Sequence, residues 1–324
     1  MIELDRRSVL WGFAATGAGF ALGGCGSMTA SDGGKALFFG DTRPVGLQLY
    51  ALGEDVGKDI GGTFAQLAEI GYRDLELPGL YGMDPAEIAR LAAAAGVNVT
   101  CVHVPFAPLS SPNPVTLELE PAVLAEQLGA LGVGKAVVPI MPVPESARPQ
   151  GDETFQQAIG RVIASEGPDL WKRTAAMLNE KAAALKPLGI ALGYHNHNME
   201  FAPQGDTTGW EILVAETDPA LVSFELDLGW VASAGHDPVT ELGKLAGRVG
   251  FAHVKDVGEG NEPNFALGTK PCSVGAGTLD WATILPAAAA AGVEHFYVEQ
   301  EPPFTEPRID AAKASYAYLS SLEV

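Results

Sequence analysis

Polar residues able to do chemistry recur at the ends of short apolar runs in this chain. Four of its six histidines are among them: His103, His195, His197 and His253. Gln48, Tyr50, Glu76, Asp227, Lys255 and Glu299 fall at the same point of the pattern. His195, Asp227, His253 and Glu299 offer two imidazoles and two carboxylates. That set suits one divalent ion such as Mn²⁺, Zn²⁺, Co²⁺ or Fe²⁺ better than an ion that takes oxygen alone. Any one of the four also fits a hydrogen-bonded strand-end group. Their shared place in a repeating pattern is what points to a site. Side chains alternate along a strand, so His195 and His197 share a face, as do His253 and Lys255.

The elements that must carry these residues alternate in type. Strands are expected at residues 45–50, 73–77, 97–104, 135–140, 190–195, 221–227, 249–255 and 295–299. Helices are expected at 64–70, 85–95, 121–131, 171–185, 281–291 and 309–322. Asp84 reads as an N-cap with Pro85 in the first turn, and Gly71 as a C-cap. Eight strand–helix units in about 280 residues predict a single (β/α)8 TIM barrel, whose chemistry gathers at the C-terminal strand ends. No Gly-rich phosphate fingerprint follows the first strand, which argues against an open doubly wound sheet. The Gly-rich segment 256–280 reads as a lid or a passive surface loop.

The N-terminus reads MIELDRRSVLWGFAATGAGFALGGC. Arg6 and Arg7 before a mild apolar stretch predict a cleavable twin-arginine signal over residues 1–24. The small residues before Cys25 resemble a lipobox, with Cys25 as the lipidated residue. Residues 25–40 read as a flexible tether and 41–324 as the barrel. The expected location is exported and periplasmic, reached through the twin-arginine machinery, with contact to the membrane only through a lipid anchor.

The 324 residues are 47% hydrophobic and 19% charged, which excludes a disordered chain. Lys plus Arg total 20 and Asp plus Glu total 40, a formal charge of −20 that argues against nucleic acid as a partner. Three cysteines are too few for a disulfide framework, and Cys101 reads as a small core residue. Glu225 shares a face with Asp227 and reads as a deeper carboxylate whose partner the sequence does not name.

Several stretches resemble the sugar phosphate isomerase/epimerase group of xylose-isomerase-like TIM barrels. They are GYHNHNMEF (193–201), FELDLGWVASAGHDP (224–238), HVKD (253–256), GAGTLDW (275–281) and YVEQE (297–301), with VGLQLYAL and IGYRDLEL near the start. The resemblance covers about residues 45–320. It implies a metal held by Glu, Asp, His and Glu from four strand ends. Asp227, His253 and Glu299 match three of those positions. His195 stands where the family has the first Glu, and His197 is the alternative ligand there. Trp230 stands where many members have His, and could form a stacking wall for a sugar ring.

The resemblance further implies proton removal next to a carbonyl, giving an isomerase or epimerase, with a carboxylate such as Glu299 taking the proton. Lys255 and His103 are candidate proton donors, and Lys255 also reads as a surface ion pair with Asp256. Gln48, Glu76, His197, Glu200 and Trp230 are candidate contacts to a carbohydrate substrate, and Glu200 could instead orient His197. Loss of the first Glu leaves one of two opposed bases missing. A keto-sugar (3-keto-glycoside) lyase, dehydratase or hydratase is therefore the alternative enzyme, and a sugar-binding lipoprotein the alternative of another class. Association into a homo-oligomer is a further implication of the family.

Overall fold

The computed structural model describes residues 36–109 and 115–324. The predicted signal segment, Cys25 and most of the predicted tether lie outside them. Eight parallel strands close into a barrel: β1 (Gly46–Gln48), β2 (Asp74–Leu77), β3 (Asn98–His103), β4 (Lys135–Val138), β5 (Ala191–His195), β6 (Val222–Asp227), β7 (Val249–Val254) and β8 (His295–Val298). Each strand pairs with its neighbours in sequence, and β8 returns to β1. The predicted TIM barrel is the observed architecture.

Ten helices are described around it. The predicted ones appear as α1 (Ile60–Ile70), α2 (Pro85–Ala95), α3 (Pro121–Leu131), α5 (Pro168–Leu185), α9 (Trp281–Ala291) and α10 (Arg308–Ser320). Asp84 caps α2 by accepting from the Ala86 and Glu87 amides, and Gly96 ends it in the left-handed region. Four helices go beyond the sequence reading: α4 (Phe155–Glu166), α6 (Gly209–Glu216), α7 (Leu228–Ser233) and α8 (Pro238–Lys244). Both α4 and α6 begin with a capping box, Thr154 with Gln157 and Thr208 with Glu211. Gly209 opens α6 because a Cβ there would lie 2.3 Å from the Trp171 ring.

Two boundaries differ from expectation. The first strand stops at Gln48, whose side chain accepts from the Tyr50 amide at 3.1 Å and starts a 3-10 turn. The tether reading extends to residue 40, yet residues 36–40 are part of the folded unit. Ala36 exchanges backbone hydrogen bonds with Val324, and Phe38 and Phe39 bury their rings edge-on against Phe296. Two adjacent aromatics are too much apolar area to leave in a solvated linker.

The barrel interior is layered. Cys101, Val137, Phe251 and Tyr297 form a small apolar plug from β3, β4, β7 and β8. The polar residues of the next layers are the candidate site.

Candidate active site

Strand periodicity builds the site in two tiers. On β6, Glu225 and Asp227 are two residues apart, so both face the interior at successive levels. His253 on β7 sits opposite Asp227 in the sheet register, and His195 on β5 opposite Glu225.

Glu225 organises the lower tier. Its Oε2 lies 2.9 Å from His103 Nε2, 3.1 Å from His195 Nδ1 and 3.1 Å from His253 Nε2. Glu76 adds a second carboxylate, 2.7 Å from His253 Nε2 and 3.4 Å from His103 Nε2. All five side chains are buried. Burial opposes charge on the three histidines and on Glu225. For His103, Glu76 and Glu225 overcome it and push the imidazole up to about 10. For His253, Glu225 and Glu299 hold the imidazolium well above the ordinary histidine range. Glu225 resists the same penalty through His253, His103 and His195, and stays well below the usual carboxylate range. Burial and the neighbouring His253 push His195 down.

The upper tier holds Asp227, Glu299 and Lys255. Asp227 Oδ1 caps α7 through the Trp230 amide at 2.7 Å. Its Oδ2 is buried and faces His253 Nδ1 at 3.6 Å, His195 Nε2 at 4.0 Å and Lys255 Nζ at 2.8 Å. Glu299 Oε2 lies 3.2 Å from His253 Nδ1 and 2.5 Å from Lys255 Nζ. Burial would raise the Glu299 carboxyl, but Lys255 and His253 hold it well below its ordinary value. Lys255 also reaches Glu301 at 3.1 Å and lies 4.5 Å from the centre of the Trp230 ring. Against burial, Asp227, Glu299 and Glu301 hold its ammonium charged.

These tiers fit a divalent ion. Asp227 Oδ2, His253 Nδ1 and Glu299 Oε2 are mutually close enough to share one. A proton kept on His195 Nδ1 and on His253 Nε2 by Glu225 and Glu76 would leave the other nitrogen of each ring facing the upper carboxylates. Metal-binding histidines are oriented by carboxylates in this way. His197 joins no three-donor cluster among the described residues. Its ring packs against His195 and Trp230, and burial pushes its imidazole well below the ordinary range.

The remaining candidates are placed differently from one another. Gln48 is fully buried: its Oε1 accepts from the Tyr50 amide, and its Nε2 has no hydrogen bond. Trp230 is buried with Lys255 over its face, so that face is already covered. Tyr50 is 44% exposed, and its hydroxyl is pushed up to about 12 by burial and by Glu301 and Glu299. A separate cavity of about 750 Å³ beside α4, lined in part by Phe265, has none of the histidines in its wall. Glu200 accepts from the Tyr194 hydroxyl at 2.7 Å and from the His197 amide at 2.8 Å. Both its oxygens therefore serve the end of β5.

Burial raises the Glu200 carboxyl from 4.5 to about 7. A raised carboxylate contributes stability below its unfolded pKa that is lost as pH rises through the folded one. We expect Glu200→Gln, which mimics the protonated acid, to remove that loss. That rise corresponds to about 3 kcal/mol between pH 4.5 and 8. Denaturant titrations across that range test it, and parallel profiles for both proteins would refute it.

Sequence reasoning missed the asparagines of the HNHN run. Asn196 accepts from the Asp227 amide at 2.9 Å and so locks β5 to β6. Asn198 holds the long loop through Asn264, Leu267 and Gly268. Asp256 does not pair with Lys255. It accepts from the amides of Val257, Gly275, Gly277 and Leu279 and from the Trp281 indole. The segment 256–280 is thereby pinned at both ends and at its middle.

Residues 64–322 match the xylose isomerase-like TIM barrel family. The chain belongs to that family. An inosose dehydratase from Geobacillus kaustophilus is 28% identical over 199 residues, 60% of this chain. The match spans 61% of that dehydratase's length. Among solved structures, a sugar phosphate isomerase/epimerase from Parabacteroides distasonis superposes with a TM-score of 0.67 at 23% identity, over 87% of this chain and 95% of that one. A 3-keto-D-glucoside 4-epimerase from E. coli gives 0.55 at 16% identity, over 86% and 100%. The xylose isomerase-like relatives are thus isomerases, epimerases and dehydratases.

Proposed function

We propose that this xylose isomerase-like barrel is a metal-dependent carbohydrate isomerase or epimerase that removes a proton next to a carbonyl. The observation that carries the reading is the upper donor set of Asp227, His253 and Glu299, with His195 behind it and Glu225 fixing both rings. A bound divalent ion supplies positive charge for the oxyanion that develops during proton removal. Glu299, held ionised, accepts the carbon-bound proton. Lys255, whose ammonium also reaches Glu301 and the Trp230 face at the edge of this tier, is the proton donor. His103 spends its Nε2 on Glu225 and Glu76, so its part is to hold charge below the reacting atoms.

A second reading, dehydration of a keto-sugar, is favoured by His195 standing where the family has a Glu. An epimerase needs acceptors on two faces, whereas elimination needs one acceptor and one donor, as Glu299 and Lys255 provide. The similarity to inosose dehydratase supports the same reading. For location, Arg6, Arg7 and the stretch ending at Cys25 support export and lipid anchoring.

The test is deuterium exchange by NMR in D₂O, with metal-loaded protein and a panel of keto-sugars and 3-keto-glycosides. Deuterium beside the carbonyl with the substituents retained is the expected result, and loss of water selects the dehydratase. No exchange from any sugar that binds would overturn both and leave a binding protein.

A further inference from the structure

Lys255 Nζ and a metal ion compete for the same two oxygens. The ammonium is 2.8 Å from Asp227 Oδ2 and 2.5 Å from Glu299 Oε2. A first-row ion would sit about 2.0–2.2 Å from such oxygens. Two cations in contact there would repel strongly in a buried site. Of the three carboxylates around Lys255, Glu301 stands outside the metal's donor set and accepts a hydrogen bond from it at 3.1 Å. Glu301 is also the most open of the three, its side chain 17% exposed against 0% for Asp227 and 6% for Glu299. The base of the lysine stem is fixed. It packs on Gly229, where an added Cβ would come within 2.8 Å of Lys255 Cβ and 2.7 Å of its Cγ. Movement is therefore confined to the far end of the side chain, between the two inner carboxylates and Glu301.

We propose that Lys255 is a displaceable counter-ion for Asp227 and Glu299, and that Glu301 is the positioning residue that receives its ammonium when a metal enters. This rests on the metal reading above. The barrel would then carry its own cation in the metal's place, and loading would move the ammonium outward, between Glu301 and the Trp230 face.

The test is calorimetric titration of Mn²⁺ and Zn²⁺ into the metal-stripped full chain. Lys255→Met is expected to bind at least tenfold tighter than wild type, because no ammonium has to move. Lys255→Gln serves if the Met variant does not fold. Glu301→Gln is expected to bind at least fivefold weaker. In the double variant, that weakening should vanish, because Glu301 acts through Lys255. Equal or weaker binding by both lysine variants would overturn the displacement. A Glu301→Gln effect that persists in the double variant would show direct attraction between Glu301 and the metal, and overturn its role as a seat for Lys255. No binding by wild type or by the lysine variants would overturn the metal reading and this inference together.

Discussion

Glu299→Gln is expected to lower turnover by roughly 10²–10⁴-fold, the range for loss of a general base, while leaving the barrel folded. The side chain is buried, and its Oε2 lies between His253 Nδ1 and the Lys255 ammonium. Those neighbours keep it ionised in a place where burial alone would protonate it. Glutamine keeps the shape and one acceptor oxygen, so packing changes little, but the amide does not take a proton from carbon. The ion pair of Lys255 with Asp227 and its hydrogen bond to Glu301 remain to hold the ammonium. The check is the rate of deuterium wash-in, set against thermal unfolding followed by circular dichroism. A folded variant within tenfold of the wild-type rate would remove Glu299 from the base's role.

The parts of this molecule legible in its sequence are those set by local rules. Asp84 starts α2 and Gly71 ends α1 where expected, because capping depends on residues one turn apart. Strand alternation put His253 and Lys255 on one face, and the structure has both in the interior. The same alternation turns Asp256 the other way, into the amides of the GAGTLDW turn, which explains the distance between those two motifs. Helix α4 was legible in principle from Thr154 and Gln157, but no strand follows it directly and the repeat concealed it. The partners of Glu225 were not legible. They come from β3, β5 and β7, and only barrel closure brings His103, His195 and His253 to one oxygen. Glu301 escaped for a related reason. It lies beyond the end of β8, where strand periodicity no longer says which way a side chain points.

Removal of that shared carboxylate is the second large expected effect. Glu225→Ala should destabilise the fold by about 3–5 kcal/mol, the cost of leaving buried charges without their partner. Without it, His103 and His253 retain Glu76 as the remaining lower-tier carboxylate, and His195 Nδ1 loses its acceptor. Glu225→Gln keeps volume and an acceptor, so it should cost less, with the imidazoles less firmly oriented. The pH profile distinguishes this network from simple cavity formation. Because the folded His103 is raised from 6.5 to about 10, its contribution is complete below 6.5 and is lost as pH climbs through 10. That alkaline loss should shrink in Glu225→Ala, since part of what raises His103 is gone. Glu225 itself is depressed, so its contribution is present above the ordinary glutamate range and fades as pH falls through the lower folded value. Guanidinium titrations at pH 7 and 9 measure the alkaline slope, and titrations at pH 5, 4 and 3 the acid one. A variant within 1 kcal/mol of wild type at pH 7, with the same alkaline slope, would mean that the three histidines do not depend on Glu225 for their charge.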